Sequence, residues 1–152
     1  MRTSNREQIE AFLREHKGFS ECIIEEFIFK DYGTTLEVRL NYVWSDWGDI
    51  RANLNEPRNI ILKFRLVEDL HIKNSLSHSM LTEPESINWG LNEIALLKVV
   101  GDTNALQTPE PSEPLFTHVV FLWEGDRRID IVFSEFEALS TLQPPGLTLT
   151  IP

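Results

Sequence analysis

The chain has 152 residues, with 24 acidic against 14 basic side chains, a formal net charge of −10 and a single cysteine, Cys22. That length fits one domain, 1–152, with a core large enough to form without metal or disulfide staples. One cysteine excludes an internal disulfide and fits a reducing, cytoplasmic setting. The polar start, Met1–Glu7, lacks the apolar stretch of a signal peptide, and no apolar run approaches the ~20 residues that span a bilayer.

The acidity is uneven. Residues 1–76 hold 11 basic and 13 acidic side chains, residues 77–152 only 3 and 11. Such a surface repels phosphate, which makes nucleic acid and anionic membranes poor partners and a basic protein an attractive one. The plainer reading is that acidity serves solubility.

In chain order, residues 4–17 read as a helix. Ser4 with Glu7 forms a capping box, Ile9, Phe12 and Leu13 mark an apolar stripe, and Gly18 is a natural stop. Cys22–Lys30 reads as a strand and Asp31–Thr34 as a turn. Thr35–Trp44 then alternates, with Leu36, Val38, Leu40, Tyr42 and Trp44 on one face, so the pair makes a hairpin. Ser45–Arg58 is a polar loop. Asn59–Val67 is a third strand, and Leu70–Ile72 a short fourth after a bulge at Glu68-Asp69. Residues 74–92 take no assignment. Glu93–Val100 is strand-like, with a helical reading left open. Pro109, Pro111 and Pro114 make 101–114 a loop. Phe116–Glu124 and Arg127–Phe133 form a second hairpin, and Leu147–Ile151 is a short run suited to a sheet edge. The pattern predicts an α+β fold: mostly antiparallel β, as a sandwich or a curled meander, with one amino-terminal helix. The expected core is Leu36, Val38, Leu40, Ile60, Leu62, Phe64, Val119, Phe121, Ile131 and Phe133.

Candidate chemistry is sparse. Asp69, His71 and His78 offer metal-ligand types, but without a standard ligand spacing, so no metal is expected. No Gly-x-Ser-x-Gly elbow is present. Cys22 stands beside Glu21, which raises a thiol pKa and makes a poor nucleophile. Glu25 and Glu26 are adjacent in a strand and point to opposite faces. Glu83 and Glu85, like Glu110 and Glu113, read as solvated charge. No glycine-rich phosphate cradle appears and no cofactor is expected. The pattern leans away from an enzyme.

The most informative local feature is Trp44-Ser45-Asp46-Trp47-Gly48-Asp49. Trp47 lies in a polar loop between Asp46 and Asp49, the arrangement of an aromatic anchor ringed by polar groups at a protein interface. The competing reading, a tryptophan folded back to cap the sheet, carries about twice the weight, because single exposed aromatics are common.

Phe19-Ser20-Glu21-Cys22, the Thr35–Leu40 strand and Ile60-Ile61-Leu62-Lys63-Phe64-x-x-Val67-x-x-Leu70-x-Ile72 follow one another in an order that resembles small β-rich immunity proteins of bacterial polymorphic toxin systems. Ser20-Glu21-Cys22 stands where that family carries His-Asp-Ala. The resemblance covers residues 19–73 and implies a cytosolic inhibitor that masks a toxin by direct binding. The alternative is a small enzyme or ligand-binding module with a pocket between sheet and helix. A deep polar pocket holding His71 or His118 would favour the enzyme, and a flat or convex acidic face the inhibitor.

Overall fold

The computed structural model describes residues 1–41, 59–83, 93–101, 116–123 and 126–141. The elements are β1 (Arg2–Thr3), α1 (Arg6–Glu15), β2 (Ile23–Lys30), β3 (Thr35–Asn41), β4 (Asn59–Asn74), α2 (His78–Thr82), β5 (Ile94–Val99), β6 (Thr117–Trp123) and β7 (Arg127–Thr141). The strands form one antiparallel sheet in the order β2-β3-β4-β7-β6-β5, with β1 beside β7. The expected α+β architecture, mostly antiparallel β with an amino-terminal helix, is therefore what the chain adopts. Its form is one open sheet in which β4 lies beside β7, so the order is that of two three-stranded runs joined by a crossover and not of a simple meander.

Helix α1 begins one residue later than the capping box at Ser4 predicts. Asn5 is the N-cap, its side chain accepting from the Gln8 backbone N–H at 3.0 Å. Asn5-x-x-Gln8 carries the same capping signature. Pairing of Arg2–Thr3 with β7 and a 3.0 Å bond from the Asn5 N–H to Thr3 Oγ1 set the start there. After α1 the chain turns through Gly18 at φ +63. A Cβ at Gly18 would lie 2.8 Å from the Leu97 carbonyl oxygen, so both the backbone angle and the close approach to β5 require glycine.

Strands β4 and β7 are longer than the alternation suggests. The third strand and the short fourth are one element, continuous through a bulge between Val67 and Asp69, because β7 runs beside its whole length. Leu66, at φ +52, interrupts the alternation. Ile60, Leu62 and Phe64 point into the core before it, and Val67 and Leu70 pack on the core after it, so the inward face changes from even to odd numbers and back across the bulge. In β7 a matching phase slip separates inward Phe133 from inward Phe136. The two slips lie side by side, where Phe64 pairs with Phe136 and Val67 with Phe133, and the sheet turns its corner there. The 93–100 segment resolves as strand β5.

All ten expected core residues are buried, joined by Ile9 and Leu13 of α1, Ile94, Leu97, Ile129 and Phe136. Aromatic rings fill the concave side: Phe64 meets Phe133 edge-on at 5.0 Å and Phe121 at 6.0 Å, and Phe27 of β2 reaches across to Trp123 of β6 at 5.7 Å. α1 lies over this face, with Phe12 5.6 Å from Phe136. The curl brings the outermost strands together at one end. The Glu21 N–H donates to Ile94 O at 2.9 Å and the Ile94 N–H to Cys22 O at 2.8 Å, and Ile23 bridges Glu93. Among the described residues no helix is long and apolar enough to cross a membrane.

Leu62 is fully buried between Val38 and Ala138, whereas Leu66 is exposed. Leu62→Ala should cost about 2–5 kcal/mol in urea unfolding, and Leu66→Ala no more than about 0.5 kcal/mol. The reverse order would contradict this strand phasing.

Candidate interaction surface

The convex face of the sheet is a lattice of charge built by register. Glu37 of β3 sits opposite Lys63 of β4, which sits opposite Glu137 of β7. Glu37 is only 3% exposed and receives Lys30 Nζ at 2.8 Å and Lys63 Nζ at 2.9 Å. Burial pushes its carboxyl upward, but the hydrogen bonds and charges of the two lysines outweigh that, and Glu37 titrates below its ordinary value. Arg65 reaches Glu137 at 2.9 Å and Arg2 reaches Glu135 at 2.5 Å, while Arg39 pairs with Glu26 at 3.2 Å. Glu25 instead accepts from Asn41 at 3.0 Å, so the two adjacent glutamates serve separate partners.

Further along this face Asp130 of β7 gathers two partners. His118 Nε2 lies 2.8 Å from Oδ1, and Arg128 donates to both oxygens at 2.5 and 2.6 Å. Arg128, first, and His118 hold the Asp130 carboxyl below its ordinary value. His71 of β4 faces Asp130 across the pair, but its side chain is exposed. A His–Asp pair can orient an imidazole for proton transfer. Among the described residues no hydroxyl or thiol is hydrogen-bonded to His118. His78 opens α2, and no group of three His, Cys, Asp or Glu among the described residues is placed to hold a metal. Cys22 is buried, and burial, then Glu21, pushes its thiol up to about 12, far from a reactive thiolate.

A groove of about 370 Å³ lies between α1 and β5. Leu13, Leu96 and Leu97 line it with Arg14, Lys17 and Lys98, and it contains neither His71 nor His118.

The opposite character appears at the end of the sheet where β2 turns into β3 and β4 bends. Tyr32 stands fully exposed at the tip of the turn, Phe29 is 53% exposed on the rim of the concave face, and Leu66 is 62% exposed. The Val67 N–H donates to Thr34 O at 2.9 Å and ties the turn to the β4 bend. Asp31, Tyr32 and Leu66 all adopt left-handed backbone, at φ 51, 58 and 52. Such conformations are unfavourable for residues other than glycine and cluster at functional segments. From sequence, Asp31–Thr34 reads only as a turn. A tyrosine at a turn tip, with nothing apolar beside it in the chain to fold onto, was the available signal. Asp46, Trp47 and Asp49 lie outside the described residues.

Glu37, Asp130 and Glu137 all have depressed folded-state pKa values. Their contribution is fully present above the unfolded carboxyl range and is lost as pH falls through the folded values. Unfolding free energy should therefore decline below the ordinary glutamate value of 4.5. Glu37→Gln should lower stability at pH 7 by about 1–3 kcal/mol and make that acid decline shallower. An acid limb unchanged from the parent would show that the two lysines do not hold this carboxylate.

No family model matches the chain, and no curated protein matches it. Among solved structures, the chain is similar to the crystal structure of an uncharacterized protein from Neisseria gonorrhoeae, at 11% identity and a TM-score of 0.45, over 81% of this chain and 94% of that one.

Proposed function

We propose that the protein is a protein-binding module of the immunity type, which acts in the cytoplasm and silences a basic toxin by covering part of its surface. The observation that carries this reading is the end of β2, β3 and β4, where Tyr32 is fully exposed and Phe29 and Leu66 are also exposed, with left-handed backbone at Asp31, Tyr32 and Leu66. Aromatic anchors presented on a fixed turn lose little conformational freedom on binding, which is how interfaces concentrate affinity. The net charge of −10 supports a basic partner by steering its approach. The resemblance over residues 19–73 supports the toxin as that partner, and the Asp46-Trp47-Gly48-Asp49 segment is proposed as a second anchor.

The alternative, a small enzyme or ligand-binding module, has less behind it. The α1–β5 groove is lined by leucines, Glu10 and three cations, of which Arg14 is paired with Glu10, and the His118–Asp130 pair lies outside it.

The test is association with the product of the neighbouring reading frame, followed by stopped flow. Raising salt from 0.01 to 0.15 M shortens the Debye length from ~30 to ~8 Å and should slow the on-rate. Tyr32→Ala should leave stability within about 0.5 kcal/mol and weaken binding by about 2 kcal/mol, roughly 30-fold, mainly through faster dissociation. Salt-independent association, with Tyr32→Ala and Trp47→Ala binding as the parent does, would contradict the reading.

A further inference from the structure

Among the described residues the second half of β4 has a neighbour on one side only. β3 pairs with Asn59–Arg65 and stops, while β7 continues to Asn74. Among the described residues nothing pairs with the other side of Asp69–Asn74, and every side chain in that run but Leu70 is exposed. Backbone N–H and C=O groups along such an edge are a template for another strand.

The side chains say which strand fits. Leu70 and Ile72 lie opposite buried Ile131 and Ile129, so they belong to the core face, yet Ile72 is 52% exposed. Asp69, His71 and Lys73 alternate with them on the convex face, opposite Val132, Asp130 and Arg128. A second copy approaching antiparallel about a two-fold axis must match core face to core face. Centred on His71, that register sets Leu70 against Ile72, Asp69 against Lys73 and Glu68 against Asn74, each twice. Apolar meets apolar, Asp69 meets Lys73, and Glu68 meets the neutral Asn74. Paired residues then share the same parity, so outward-pointing backbone groups of one copy meet those of the other.

We propose that the Asp69–Asn74 edge of β4 joins the same edge of a second copy in antiparallel register centred on His71, making one continuous sheet across a two-fold dimer. This inference goes beyond the proposed toxin-binding role and does not depend on it. Among the described residues Lys73 pairs with Asp126, an exposed residue, and exposed pairs of this kind hold weakly. A short edge buries little area, so the dimer is a weak one, exchanging with monomer between about 1 µM and 1 mM.

Sedimentation across that range, with the whole chain, should show a concentration-dependent shift from monomer to dimer. Asp69→Lys and Lys73→Asp should each abolish it, by setting like charges opposite one another, and the double exchange should restore it. Thermal melting of each variant establishes that it is folded. The register has its own readout. His71→Cys should form a cross-linked dimer with oxidised glutathione, because opposed residues stand about 4.5–5.5 Å apart. Asp69→Cys should not, since its counterpart lies about 13 Å away along the strand. Buried Cys22 serves as the unreactive background. A chain that stays monomeric to 1 mM overturns the proposal. So does a dimer that cross-links equally well through position 69, or one that survives both single charge changes.

Discussion

The antiparallel ladder between β4 and β7 is the constraint on which the rest of the structure depends. It runs from Asn59 opposite Thr141 to Asn74 opposite Arg127, and every other part of the sheet attaches to it. β3 and β2 are added on the outer side of the first half of β4, and β6 and β5 on the outer side of the first half of β7. The residues it pairs are far apart in sequence, so its closure fixes most of the long-range topology at once. The bend at Leu66 and the slip between Phe133 and Phe136 turn one long ribbon through a corner, and the concave side then closes on Phe64, Phe133 and Phe136.

The two faces of this ribbon divide the work. The concave side is apolar and is covered by α1 through Ile9, Phe12 and Leu13. The convex side carries alternating rows of opposite charge, and the depressed carboxyls of Glu37, Asp130 and Glu137 mark where lysine, arginine and histidine satisfy acids, between strands at Glu37 and Glu137 and both within β7 and across to β6 at Asp130. An acidic chain thus spends much of its scarce positive charge on its own sheet. Among the apolar residues exposed on the surface, Phe29, Tyr32, Leu66 and Ile72 come from the end of β2, its turn and the bend and edge of β4, while Leu81 comes from α2.

Much of this was legible in the residue order. Strict alternation in Thr35–Leu40 and Asn59–Arg65 gave the right inward faces, because a strand half in water needs a period of two. Glu68-Asp69 also marked the bulge. The rest was hidden for stated reasons. β7 reads as ending at Phe133 because its apolar phase slips there, and only pairing with Arg65 and Phe64 reveals that Glu135 and Phe136 continue the strand. The helix start moved from Ser4 to Asn5 because a two-residue strand, Arg2–Thr3, is fixed by β7 at long range. For Tyr32 the residue order offers only an aromatic in a polar turn; its exposure and left-handed backbone are properties of the folded turn.

The measurement that tests the account most directly is native-state hydrogen exchange, resolved by residue. If the β4–β7 ladder organises the fold, amides bonded within Ile60–Arg65 and Ile129–Phe136 should be the slowest, exchanging only through global unfolding, while β2 and β5 open earlier through smaller fluctuations. Protection in β2 or β5 that exceeds that of β4 and β7 would contradict the account.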